Sequence, residues 1–312
     1  MEFALTILGV SGALPAFGRF PTSQFLQIQN HYFLIDCGEG AQMRLADFGL
    51  PRSRINHIFI SHLHGDHFFG LPGLLFSYAL TGRTTPLHVY SPEGLQPMIR
   101  ALLLPGAQLS FPLHFHTFQT DKNTLLLENE QLTVHTIPLR HQVPTCGFLF
   151  REKPFLKNII KEKITELGLS IQQIKAVKKG SDLTLDNGQH LPNHSLTLPP
   201  FVPRSYAFIS DTLYHPPVVA QIKDVDMLYH ETTFCEADLQ HAIATMHTTA
   251  RQAATIAQKA GAGTLITGHY SSRYKDLEVL LEEARAVFAH TLPGREGETY
   301  RVERRRRVHT SR

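Results

Sequence analysis

His62-Leu63-His64-Gly65-Asp66-His67 gathers three imidazoles and one carboxylate within six residues. Donors of these types at this density suit a borderline-soft divalent ion such as zinc. Histidines at i, i+2 and i+5 do not share one helical face. The segment therefore reads as a loop between a strand and a helix, not as the H-E-x-x-H helix of a zinc protease. Gly65 lets the backbone turn sharply enough for the side chains around it to converge. A polar turn with incidental histidines is the competing reading, and four ligand-type side chains so close together weigh against it.

The elements that must position this loop follow a pattern. The run His57–Ser61 reads as a buried strand that delivers it, and Leu71–Thr81 reads as a helix beyond it, with Pro72 tolerated in the first turn. Further on, Leu132–Ile137 is a strand ending near His141, and Tyr206–Ser210 is a strand ending at Asp211. Met227–Tyr229 ends at His230-Glu231, and Thr264–Thr267 ends at Gly268-His269. Ligand-type residues thus recur at the carboxyl ends of strands, where α/β folds place their sites. Upstream, Phe3–Gly9 reads as a strand, followed by a Gly- and Pro-rich loop to Pro21. Ser23–Gln29 and Tyr32–Ile35 read as a hairpin about Asn30-His31, and Asp36–Gly40 as a loop opening a helix near Ala41–Phe48.

A two-metal site needs about seven protein ligands if each ion keeps a position for solvent or substrate. The strand ends supply that number. His62, His64 and His141 are assigned to one zinc ion. Asp66, His67 and His269 are assigned to the other, with Asp211 as the bridge, because each carboxylate oxygen can bind one cation.

Composition bounds the rest. With 42% apolar and 18% charged residues, the chain of 312 residues is an ordinary globular one and not a disordered one. Of its net charge of +3, residues 301–312 hold six arginines against one glutamate, so the remainder carries −2. Any polyanion must therefore meet a local patch. Cys37, Cys146 and Cys235 form no C-x-x-C pair, which points to a reducing compartment and to small buried apolar side chains. The N-terminus lacks the pattern of a signal peptide, and no run reaches the roughly 18 apolar residues of a membrane helix. The expectation is a cytoplasmic protein with no membrane contact.

The segment 152–200 breaks the rhythm of strand and ligand. Leu156–Leu167 reads as a helix closed by Gly168, and Ile171–Lys179 as a second closed by Gly180. Leu183–Leu191 follows, with an Asn187-Gly188 turn. From Arg151 to Pro200 there are eight Lys or Arg against five Asp or Glu. The segment reads as an insertion projecting from the main fold; its bland alternative is a solvated surface subdomain.

These motifs resemble the metallo-β-lactamase superfamily, and within it most closely the ribonuclease Z family of tRNA 3′-processing endonucleases. The likeness rests on Leu8-Gly9-Val10, on Phe33–Gln42 with its Asp36-Cys37-Gly38-Glu39-Gly40 core, and on Ile55–Leu71. It continues through Ser210-Asp211-Thr212, His230–Phe234, His247-Thr248-Thr249-Ala250 and Gly268–Tyr274, and so spans nearly the whole chain to about residue 300. The histidine loop alone indicates only the superfamily; the later motifs indicate the family. The resemblance implies a four-layer αββα sandwich over residues 1–300, interrupted by a tRNA-gripping arm at 152–200, with a basic tail at 301–312. It implies two Zn²⁺ ions per chain, Asp66 as general base as well as ligand, and Glu231 with His247 as a catalytic pair. It also implies precursor tRNA as substrate and a homodimer in which one arm serves the tRNA held by the other subunit. Many family members carry a Gly-Pro motif in the arm, where this chain has Leu169-Ser170-Ile171-Gln172-Gln173-Ile174-Lys175. The tail lies outside the likeness and reads equally as disordered or as a nucleic-acid contact.

The chemistry agrees. Two zinc ions would acidify a water and neutralise the charge that builds up as a phosphodiester is hydrolysed. His247 would protonate the departing 3′ oxygen, with Glu231 holding its tautomer. Arg273 is a candidate phosphate clamp, with a surface salt bridge as its alternative. Lys157, Lys161, Lys163, Lys175, Lys178 and Lys179 would supply the arm's charge, and Glu39 would fix the loop about the site. Two other functions compete. One is a small-substrate phosphodiesterase on the same zinc scaffold, which a chain without a basic insertion would favour. The other is a catalytically inactive RNA-binding scaffold, whose mark would be missing ligands, and none of the seven is missing.

Overall fold

The computed structural model describes residues 1–102, 109–185 and 188–306. Its strands build two seven-stranded sheets. In the first, β1 (Phe3–Gly9), β2 (Ser23–Ile28) and β3 (His31–Cys37) pair antiparallel; β4 (His57–Phe59), β5 (Leu87–Pro92) and β6 (Leu113–Phe118) then follow parallel to β3. The second sheet begins with β7 (Leu125–Glu128), β8 (Leu132–Pro138) and β9 (Cys146–Glu152).

Sequence alternation explains the layering. Along β3 and β4 and just past it, Tyr32, Leu34, Ile58 and Ile60 point to a core shared with helices Ala41–Asp47 and Gly70–Leu80. Their neighbours Phe33 and Phe59 point the other way and meet Phe148 and Phe150 of β9, with ring centroids 5.3–5.4 Å apart. Both faces are thus apolar, so the strands read as continuous hydrophobic runs. Each buried ring contributes about 1.5–3 kcal/mol through burial alone.

One compact unit comprises Met1–Asn129, Thr133–Arg151 and Ser205–Val302 and holds both sheets. The other comprises Glu130–Leu132, Glu152–Arg204 and the chain from Glu303 onward. It has its own small core of Ile159, Leu169, Val177, Leu183 and Leu196. Here β10 (Asn158–Ile159) and β13 (Thr197–Leu198) pair, as do β11 (Leu183–Thr184) and β12 (His190–Leu191). The expected helix over Leu156–Leu167 is therefore shorter, running Lys161–Glu166. Its first residues satisfy their backbone by strand pairing, which buries Ile159 in this core. Helix Ile171–Lys179 forms as read, with a reciprocal Ser170–Gln173 capping box and Gly180 in the left-handed region at its end. Of the expected Asn187-Gly188 turn, Asn187 lies outside the described residues.

The second sheet resumes with β14 (Ser205–Ile209), antiparallel to β9. Then β15 (Met227–Glu231), β16 (Thr264–Gly268) and β17 (Thr291–Pro293) run parallel to it. Helix Ala250–Ala260 packs on β15 and β16 through its alanine- and isoleucine-rich buried face, completing an αββα order. β15 runs two residues further than expected, so His230 and Glu231 lie within the strand. Finally β18 (Thr299–Arg301) pairs with β1. Among the described residues of the tail, Arg304 and Arg306 stack on Phe201, and Arg306 donates to the carbonyl of Pro199. Residues 307–312 lie outside the described residues. Among the described residues, no helix is long and apolar enough to cross a membrane.

Candidate metal centre

Every side chain of the centre comes from the carboxyl end of a strand or from the segment just beyond it; the expected loop over 62–67 is a loop only to His64, and Asp66 and His67 sit in the one-turn helix Gly65–Phe68. Asp36 is the next-to-last residue of β3, and His62–His67 follow β4. His141 follows β8, Asp211 follows β14 and His269 follows β16. Asp36, Asp211 and His269 hold φ of 54°, 55° and 55°. This left-handed backbone is costly for residues with a Cβ, and it persists where surrounding structure enforces it. Here it turns the chain so that the side chain faces inward.

The donor atoms gather in two sets. Those of His62, His64, His141 and Asp211 lie within 4.8 Å of one another, as do those of Asp66, His67 and His269. In the first set, His62 Nε2 is 3.1 Å from His64 Nδ1, and His64 Nδ1 is 3.4 Å from His141 Nε2. In the second, Asp66 Oδ2 lies 3.4 Å from His67 Nε2 and 3.8 Å from His269 Nε2. Asp211 faces both sets. Its Oδ1 is 3.2 Å from Nε2 of His67 and of His269, and its Oδ2 is 3.7 and 3.8 Å from Nε2 of His62 and His141.

These residues fit a pair of divalent ions. A tetrahedral zinc with bonds of about 2.0–2.1 Å sets its donors roughly 3.3–3.5 Å apart. Nε2 of His67 and of His269 is buried with no hydrogen-bond partner, an arrangement that is costly unless a ligand meets the lone pair. The opposite nitrogens are spoken for. His67 Nδ1 donates to Asp36 Oδ2 at 2.6 Å, and His141 Nδ1 donates to the Met246 carbonyl at 3.1 Å. His62 Nδ1 lies 3.0 Å from Ser61 Oγ, and His269 Nδ1 lies 2.9 Å from Thr233 Oγ1. Such outer contacts fix ring orientation and tautomer and leave the other nitrogen for a metal.

The electrostatics are those of a cation site. Burial disfavours charge on Asp211, but His269, His67 and His62 outweigh it and hold the carboxyl well below its ordinary pKa. Burial opposes the His67 imidazolium, and Asp211, Asp66 and Asp36 override it and push that pKa well up. His62 goes the other way: burial and the adjacent His67 hold it neutral. Asp36 is a further residue of the centre that the ligand assignment from the sequence does not include. It is fully buried and accepts from both Ser61 N and Ser61 Oγ besides His67. Its signal in the sequence is a lone carboxylate ending the apolar run Tyr32–Ile35.

Beside the two sets lies His247. Its ring centroid is 5.1 Å from that of His141 and 5.2 Å from that of His269. Its Nδ1 donates to Glu231, 3.0 Å from Oε1. Glu231 is fully buried and also accepts from Thr212 N, Thr248 N and the Thr233 hydroxyl, so it cannot swing away. Burial disfavours the His247 imidazolium, yet Glu231 raises its pKa to about 9. His247 also lies within ligand reach together with Asp211 and His269. His230 is buried behind this pair and bonds to the Glu231 carbonyl.

The remaining candidates lie elsewhere. Arg273 is exposed, with Nη2 3.3 Å from His241 Nε2. Glu39 is exposed on the wall of a cavity of about 490 Å³ that reaches His64 and Asp66. In the second unit, Lys157 donates to Asn193, Lys163 pairs with Glu166, and Lys178 is half-buried. Lys161, Lys175 and Lys179 are exposed. The three cysteines are buried as free thiols.

Two facing mixed sheets with helices outside them, and a histidine–aspartate centre at the strand ends, define a metallo-β-lactamase-fold hydrolase. The fold is shared with YhfI of Bacillus subtilis, at TM-score 0.68 and 20% identity, covering 97% of this chain and 100% of that one. It is shared also with human tRNase Z, short form, at TM-score 0.70 and 26% identity, over 95% and 98% of the two chains. Proteins named ribonuclease Z match at higher identity. That of Bacteroides thetaiotaomicron is 46% identical over 95% of this chain and 94% of its own. That of Cytophaga hutchinsonii is 45% identical over 97% of both. The chain belongs to the ribonuclease Z family, and its residues 3–158 also fall in the family whose model is described as anti-Pycsar protein Apyc1.

Proposed function

We infer that this chain is a zinc-dependent endoribonuclease that cleaves precursor tRNA on its 3′ side to remove the trailer. The observation that carries the reading is Asp211, whose two oxygens face two separate sets of metal donors, in a chain of ribonuclease Z descent. His62, His64 and His141 would hold one zinc ion, and Asp66, His67 and His269 the other, with Asp211 between them. When bound, two such ions supply Lewis acidity and positive charge for phosphodiester hydrolysis.

The chain's own residues do the rest. Asp66 Oδ2 accepts from Ala13 N at 2.9 Å, which fixes the carboxylate where it can orient a water and take its proton. His247, with Nδ1 held by Glu231, can present its Nε2 proton to the departing 3′ oxygen. That transfer leaves a 3′-hydroxyl on the tRNA and a 5′-phosphate on the trailer. Exposed Lys161, Lys175 and Lys179 offer phosphate contacts to a substrate far larger than one phosphodiester. The same reading includes a homodimer whose arms serve each other's tRNA, at work in the cytoplasm. Arg273 would serve as a clamp only where substrate draws it from His241.

The test is to incubate the purified protein with a precursor tRNA and with bis-p-nitrophenyl phosphate, and to map the RNA ends. A single cut on the 3′ side of the tRNA body is expected. Hydrolysis of the small ester with an intact precursor would favour the small-substrate phosphodiesterase. Binding of the precursor with no hydrolysis of either substrate would favour the inactive scaffold.

A further inference from the structure

Phe69 breaks the burial pattern around it. Phe68 before it is buried, and the helix Gly70–Leu80 that follows feeds the core, yet Phe69 is 65% exposed. Its place is not arbitrary. The ring is seated against the metal loop, where a Cβ on Gly65 would come within 2.3 Å of it. It lines the cavity of about 490 Å³ whose wall includes His64 and Asp66. Leu14, 62% exposed, and Pro15 face the same space. That wall is pinned to the centre by the bond from Ala13 N to Asp66 Oδ2, with Ala13 itself in the left-handed region at φ 60°. Glu39 adds one hydrogen-bond acceptor.

Away from His64 and Asp66 the lining is therefore largely apolar, with Glu39 as a further polar group, and the cavity opens directly beside the carboxylate assigned to the reacting phosphodiester. A phosphodiester in RNA arrives with a nucleobase on each side of it. Unstacked bases are held by aromatic faces, which are indifferent to sequence, while a base edge seeks a polar group. We propose that Phe69 is the stacking platform for the base of a nucleotide joined to the scissile phosphate. This rests on the endonuclease reading above.

The experiment is a cycle between protein and substrate. Wild type, Phe69→Ala and Phe69→Trp are compared on an intact precursor tRNA and on two precursors, each abasic at one of the nucleotides flanking the scissile phosphate. Zinc content is checked in each protein. On the intact precursor, Phe69→Ala should lower kcat/KM roughly 5- to 150-fold, and Phe69→Trp should restore it. At one flanking position the abasic substrate should cost wild type a similar factor and cost Phe69→Ala almost nothing more. Losses that multiply at both positions, or an unimpaired Phe69→Ala, would overturn the platform while leaving the endonuclease reading intact. Failure of wild type to cut the intact precursor would remove both.

Discussion

Asp36 Oδ2 sits 2.6 Å from His67 Nδ1, and that carboxylate also takes the backbone N–H and hydroxyl of Ser61. All three residues are fully buried. One carboxylate thus orients an imidazole whose other nitrogen faces Asp66 and Asp211, and holds the backbone just before the metal loop. Asp36→Asn keeps the volume but loses the charge and can place an N–H against the His67 N–H. Zinc affinity, read by competition with a chelator, should fall about 10- to 100-fold. Unchanged affinity would show that Asp36 is there for the fold alone.

Asp211 should be the most damaging of the seven proposed ligands to lose. Each of its oxygens lies against a different donor set, so Asp211→Ala removes the shared group and leaves both positive ions less neutralised. Elemental analysis of the wild type should give close to two zinc ions per chain, and of Asp211→Ala markedly fewer. Cleavage of precursor tRNA and of bis-p-nitrophenyl phosphate should both disappear. Normal zinc content with full activity would mean that the bridge is wrongly assigned.

The convergence of these seven residues was legible because each interrupts or follows an apolar strand with a ligand-type side chain. The contribution of Asp36 was harder to read: one aspartate at a strand end looks the same whether it closes a turn or orients a histidine 31 residues away. The same limit applied to Glu231. Its motif marks it in the sequence, but its place inside β15, held by three further donors, depends on backbone from residues 212 and 248 and on the Thr233 hydroxyl. In the second unit, Leu156–Leu167 carries an apolar spacing that suits a helix. The pairing of Asn158–Ile159 with Thr197–Leu198 wins because it buries Ile159, and that partner is far off in sequence. The place of Arg304 and Arg306 is decided by Phe201, an aromatic face that the composition of the tail could not reveal.

His247 should separate proton transfer from metal binding. Because its Nδ1 is committed to Glu231, His247→Ala should keep both zinc ions while turnover of precursor tRNA falls by roughly 10²–10⁴. Bis-p-nitrophenyl phosphate has a leaving group that scarcely needs protonation, so its loss should be much smaller. Equal losses on both substrates would argue against the acid role. Loss of zinc would make His247 a ligand, as its reach toward Asp211 and His269 allows.

The same pair should leave a trace in the pH dependence of stability once the metal has been stripped. The pKa of His247 is raised from 6.5 to about 9, so its stabilisation is whole below about 6.5 and is lost as pH rises through about 9. The pKa of Glu231 is lowered from 4.5, because His247 outweighs the effect of burial. Its contribution is whole above about 4.5 and fades as pH falls. The Tm gap between chelator-treated wild type and His247→Ala should therefore be widest between about pH 4.5 and 6.5, and narrow toward pH 9. A gap that widens with pH would contradict this pairing.

The arm's charge can be tested without removing its core. Lys161, Lys175 and Lys179 are exposed, whereas Lys157 and Lys163 are engaged with Asn193 and Glu166. Replacing the three exposed lysines by glutamine should spare the packing of Ile159, Val177 and Leu196. Each lost phosphate contact should reduce the slope of log kcat/KM against log salt by on the order of 0.7–0.9. The triple variant should thus raise KM for precursor tRNA and flatten its salt dependence by up to about 2–3 in that slope. Bis-p-nitrophenyl phosphate carries a single phosphodiester and cannot occupy the centre and the arm at once, so its hydrolysis should not change. If the salt slope for tRNA is also unchanged, these lysines are solvated surface and not an RNA grip. The segment 152–200 would then bind RNA by other means or not at all.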